Sequence, residues 1–97
     1  MNLNNFNNNI DSIIIKRKNF IDAFTLDTDI LFTNLTNSVA DNEINSIRVH
    51  KYFTETKHVG KVETARYLEH IGLNEKTKLK ELKNEDIKLL LEWIATK

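Results

Sequence analysis

Apolar residues fall along this chain in short groups parted by polar runs, and most groups carry helical spacing. Asp11 or Ser12 can cap a first helix whose apolar positions are Ile13, Ile14, Phe20, Ile21 and Phe24. Thr25–Asp29 is a polar break. Asp27 or Thr28 then caps a second helix marked by Ile30, Leu31, Leu35 and Val39, which ends near Asp41-Asn42-Glu43. Ile44, Ile47 and Val49 alternate weakly, as a short strand would. Val49, Tyr52, Phe53 and Thr56 fit i, i+3, i+4, i+7, and this pattern predicts a third helix over about 46–56, with Arg48, Lys51 and Glu55 on its other face. A fourth helix starts near Lys61, with a stripe of Val62, Ala65, Leu68 and Ile71. Glu63, Arg66 and His70 lie opposite, and Glu63 is placed to pair with Arg66. Leu73 and Leu79 plug the connector that follows. Asn84 caps a fifth helix, with Glu85 and Asp86 in its first turn and a stripe of Ile87, Leu90, Leu91 and Ile94; Trp93 covers the core edge. The fold class expected is all-α with about five helices.

Residues 1–9 hold six Asn and read as a lead without function. The domain plan is therefore a disordered lead over 1–10 and a single helical domain over 11–97. At 97 residues with no Cys, stability must come from one modest core. There is no Pro, and the two glycines, Gly60 and Gly72, bracket the fourth helix. No apolar run reaches membrane-spanning length and no charged start precedes an apolar signal region, so a cytoplasmic location is expected.

Net charge is zero, yet residues 1–45 carry three basic and six acidic side chains, and residues 46–97 carry eleven and eight. The second half thus suits an anionic partner without requiring one. Within it, Gly60 and Lys61 open the fourth helix. Glycine there would permit a sharp turn and close approach of another molecule, and the amides of Lys61, Val62 and Glu63 would form a helix N-terminus able to hold phosphate. Gly72 suits the left-handed position that ends a helix. Lys76, Lys78, Lys80 and Lys83 follow in the connector, against Glu75 and Glu81.

The Val59-Gly60-Lys61-Val62 turn into a helix, followed by a two-turn connector into another, resembles the helix–two-turns–helix module of a small-subunit ribosomal protein and of the actinobacterial integration host factor. To the latter the likeness runs without gaps from about Asn19 to Ile94. It includes Ile47-Arg48-Val49, Ile71-Gly72-Leu73 and the basic pattern around Lys78 and Lys80, and places the module at 57–95. That family comprises small nucleoid-associated, DNA-bending proteins with an N-terminal helix, unrelated in fold to the two-subunit integration host factor of other bacteria. The resemblance implies binding to double-stranded DNA through its backbone, by Gly60, Lys61, Lys78 and Lys80, with His58, Lys83 and Arg66 as further contacts. Lys16, Arg17 and Lys18 would supply a second contact that bends or bridges DNA in the nucleoid. Two positions depart from the family pattern: His58 stands where glycine is usual, and Thr77 where a basic residue is usual. Lysine for arginine at 78 and 80 exchanges a forked donor for a point charge, which implies a weaker grip.

No enzyme, cofactor or metal role is expected. His50, His58 and His70 lack close ligand spacing, and Cys is absent. Gly60-Lys61 lacks the upstream glycine and following Ser or Thr of a nucleotide-binding loop. Glu85 and Asp86 fit capping better than paired acid–base work. Two other readings stay open. One is a protein-interaction module on the same fold, favoured by the acidic first half. The other is RNA binding, for which no aromatic stacking platform is evident.

Overall fold

Five α-helices and one 3₁₀ turn are seen among the described residues of the computed structural model, which describes the backbone from Asn2 to Lys97 and the side chains from Asp11 onward. The expected all-α class holds, with an isolated β-bridge as the sole strand-like feature among those residues. Helix α1 spans Asn2–Asp22. It begins well before the expected cap, so Asp11 and Ser12 lie inside it. Neither Gly nor Pro occurs before Gly60, and extending an existing helix is far easier than nucleating one. The expected disordered lead over 1–10 is thus drawn as helical backbone from Asn2; Met1 and the side chains of 2–10 lie outside the described residues. Ile21 and Phe24 are buried, whereas Ile14 and Ile15 are 58% and 55% exposed.

Helix α2, Thr28–Val39, starts as its cap predicts: Asp27 Oδ1 accepts from the amides of Asp29 at 3.0 Å and Ile30 at 3.3 Å. Leu31 and Leu35 enter the core, but Ile30 turns outward, contrary to the expected stripe. Helix α3 covers only Val49–Thr54, shorter than the predicted 46–56. The backbone before it is committed elsewhere. Val49 N–H donates to Thr77 O, Leu79 N–H to Ile47 O and Lys80 N–H to Asn45 O, each at 2.9 Å, and Arg48 pairs with Lys78 in the antiparallel bridge. The weak alternation of Ile44, Ile47 and Val49 does not mark a strand: Ile44 lies in a turn, Ile47 in a bend and Val49 opens α3, and only Arg48 between them is bridged.

Tyr52 and Phe53 of α3 are fully buried and form the centre of the core. Phe20 stacks on Tyr52 with ring centroids 4.4 Å apart, and Phe24 meets it edge-on at 5.1 Å. Among the described residues the Tyr52 hydroxyl has no hydrogen-bond partner, and burial pushes its phenol up to about 12 against a smaller opposing pull from the Asn34 side chain.

Helix α4 is Lys61–His70, capped by Gly60. Its buried positions are Thr64 and Leu68; of the expected stripe only Leu68 is fully buried, while Val62 is 65% exposed and Ala65 and Ile71 are half-buried. A buried threonine is tolerated because its hydroxyl donates to the Gly60 carbonyl at 2.6 Å, so no polar group is stranded. Gly72 has the expected left-handed backbone, φ +87°. The connector then turns through Asn74–Thr77 and the 3₁₀ turn Leu79–Glu81 into α5, Asn84–Ala95. Leu79 and Leu82 plug it from below. Thr77 is buried too: its hydroxyl accepts from Asn74 N–H at 3.1 Å, which explains why no long cation stands there. Helix α5 is capped one residue earlier than expected, with Lys83 N–H donating to Asp86 Oδ2 at 3.0 Å. Ile87, Leu90 and Ile94 are buried as predicted. Trp93 does cover the core edge, stacked on Tyr67 at 4.5 Å with Lys97 Nζ 4.7 Å from its ring centroid.

Candidate nucleic-acid interface

Because Val49, Tyr52 and Phe53 face the core, α3 presents Arg48 and Lys51 outward, with His50 half-buried beside them. His50 Nε2 lies 2.9 Å from the Lys61 carbonyl. A carbonyl only accepts, so this nitrogen carries the proton and ties α3 to the first turn of α4. His50, Lys51, Lys57 and Lys61 thereby surround a shallow concavity of about 300 Å³, with Thr54 and Glu55. A larger groove of about 640 Å³ runs between α1 and the Ser46–Glu55 stretch. Its charged lining is Arg17, Lys18, Arg48 and Lys51 with Asp22 and Glu55. The two concavities share Lys51 and Glu55, so they form one continuous strip holding six cations and two carboxylates. On a chain of zero net charge this is a local excess of four positive charges.

The β-bridge extends the strip. Directly opposed residues of an antiparallel pair project on the same face, so Lys78 stands beside Arg48. Lys80 follows, its backbone fixed to Asn45. Lys57 adds a second signal. Its φ is +67°, a left-handed conformation that a lysine adopts at a cost of about 1–2 kcal/mol. Such strain recurs where a side chain serves a purpose beyond packing.

The sequence-based reading of Gly60 needs correction. Its backbone is extended, φ −72° and ψ 149°, and an added Cβ would meet only the Glu63 side chain at 3.4 Å or more, so no sharp turn requires glycine. The turn is made at Lys57. Nor is the α4 N-terminus bare: Glu63 Oε1 accepts the Gly60 N–H at 3.1 Å, and the same carboxylate pairs with Lys97 rather than with Arg66. Lys97, and then the Gly60 amide, hold the Glu63 carboxyl below its usual value. A phosphate at this helix end would therefore meet an internal anion, and the lysines around it must supply the attraction.

The remaining expected contacts divide. Lys61, Lys78 and Lys80 belong to the strip or adjoin it. His58 is exposed, its Nδ1 2.7 Å from Thr56 Oγ1, near Lys57 in the same turn. Arg66 and Lys83 are exposed, but among the described residues no hydrogen bond, ion pair or shared lining joins them to the strip. The Lys16–Lys18 cluster does not act as a unit. Lys16 Nζ lies 2.9 Å from Asp41 and 2.7 Å from Glu43, which raise its pKa, Glu43 more than Asp41, while Lys16 lowers that of Asp41. Arg17 donates to Ser46 Oγ at 2.9 Å and Glu43 O at 3.3 Å, and Lys18 pairs with Asp22 at 3.0 Å. Lys16 is thus neutralised in holding α1 to the 41–46 turn, while Arg17 and Lys18 still line the groove. Arg48, Lys51 and Lys57 were not among the expected site residues. The sequence pattern places Arg48 and Lys51 on the outer face of the third helix, and Arg48 also within the family likeness, but assigns neither to the site.

The fold and this surface define a small all-α domain with a basic strip across α1, α3 and the start of α4. No family model, curated protein or solved structure matches the chain. Among the described residues no helix is long and apolar enough to cross a membrane.

Proposed function

We propose that this protein binds double-stranded DNA through its phosphate backbone, with low sequence specificity, as a cytoplasmic, nucleoid-associated protein. The observation that carries this reading is the cationic excess concentrated on one strip of a neutral molecule. Lys51, Lys57, Lys61 and Lys78 act there as point charges, and Arg48 as a forked donor, on successive phosphates. Contacts of that kind set position and carry little base information. Preference among sequences then follows duplex deformability. Arg17 and Lys18, at the α1 end, take the place of the expected three-residue second contact, and a duplex following the strip from α4 to α1 would be bent or bridged. The resemblance to the actinobacterial nucleoid proteins supports the same reading.

The test is fluorescence anisotropy of mixed-sequence duplexes titrated with the full chain. Similar affinities for unrelated sequences are expected, weakening steeply as salt rises. Absence of binding at low salt overturns the proposal.

A further inference from the structure

The α1 end of the strip holds something that phosphates do not use. The floor of the groove is apolar: Ile21 and Ile47 are 7% and 3% exposed, and Ile14, also in the lining, is left 58% exposed above them. Four cations stand along its walls, Arg17 and Lys18 from α1, Arg48 at the cap of α3 and Lys51 within it, against two carboxylates, Asp22 and Glu55, which leaves the walls a net positive charge. A volume of about 640 Å³ admits several side chains rather than one ion. Apolar floor and cationic walls together complement one kind of occupant: a helix or extended segment with apolar anchors on one side and carboxylates on the other. A duplex would satisfy the walls and leave Ile14 in water. We infer that the α1/α3 groove is a docking site for an acidic amphipathic segment of a protein partner. Such a segment takes Arg48 and Lys51, in the middle of the strip, and therefore excludes DNA from them. This regulatory role rests on the proposed DNA binding; the docking itself does not.

The experiment uses the full chain and a labelled acidic peptide with leucines at i, i+4 spacing, alongside a labelled duplex. Ile14→Gln, a charge-neutral change at an exposed helical position, is expected to weaken peptide binding by about tenfold, from loss of one apolar anchor contact, and to leave duplex affinity within about twofold. Lys51→Glu is expected to weaken both, and the unlabelled peptide to displace the duplex. Three results overturn the inference: equal binding of a polyglutamate peptide that has no leucines, peptide binding indifferent to Ile14→Gln, or a self-associated chain that Ile14→Gln dissociates, which would mean that a second copy covers the groove. Peptide binding without any duplex binding would sink the DNA reading and its regulation while leaving the docking site standing.

Discussion

Replacing Lys51, Lys57 and Lys61 together by Ala separates the strip from the rest of the basic residues. All three are exposed and none is in an ion pair with a described residue, so the fold should persist with unchanged far-ultraviolet circular dichroism. If each of these three cations neutralises one phosphate, each adds about −0.9 to the slope of log affinity against log salt. The slope of the triple variant should then be shallower than the parent's by about 2.7, so that raising salt from about 50 to 200 mM weakens its binding about 40-fold less. Anisotropy titrations at several salt concentrations measure both slopes. A paired control, Arg66→Ala with Lys83→Ala, removes two cations that the structure does not join to the strip; its slope should stay within about one unit of the parent. A triple variant that keeps the parent slope, or a control that loses it, would refute the assignment of the surface.

Three further outcomes are expected. Glu63→Gln keeps an acceptor for the Gly60 amide but removes the anion at the α4 N-terminus, so duplex binding at low salt should tighten severalfold; weaker binding would exclude this helix end from the interface. Leu68→Ala should cost about 3 kcal/mol in urea unfolding, whereas Val62→Ala should stay within about 0.5 kcal/mol, a contrast that checks the α4 register. The Tyr52 phenol, raised to about 12 in the fold against 10.0 unfolded, contributes stability that is complete below pH 10.0 and lost as pH rises through about 12. Tyr52→Phe should remove that alkaline loss and match or exceed the parent midpoint at neutral pH, because it deletes a buried hydroxyl that has no partner among the described residues.

Local chemistry was the legible part of the sequence. Asp27, Gly72 and the Ile87–Leu90–Ile94 stripe act through neighbours within a turn or two, so their roles could be read without knowing the fold. The register of α4 was hidden because Thr64 reads as polar. Its burial depends on a bond to a carbonyl four residues back, while Val62, the apolar choice, falls outward. The end of α3 nearest Arg48 was hidden for another reason: its backbone partners, Thr77 and Leu79, lie far along the chain. The same distance concealed the strip. Lys61 and Lys78 were found from local pattern and resemblance, but Arg48, Lys51 and Lys57 become neighbours of those two only when the pairing and the His50–Lys61 bond close the structure. Conversely, three adjacent cations at 16–18 looked like a patch, and the carboxylates that neutralise Lys16 are again remote in sequence.

The short antiparallel contact between residues 45–49 and 77–80 also governs how much order must be lost when a ligand arrives. It mounts Arg48, Lys78 and Lys80 on main chain already tied by hydrogen bonds, like pegs on one board. A polyanion laid across them need freeze only the lysine and arginine side chains, at about 0.5–1.5 kcal/mol each, and no loop. The spacing between charges is then a property of the protein at rest, and a strand whose phosphates match it meets a gauge set in advance.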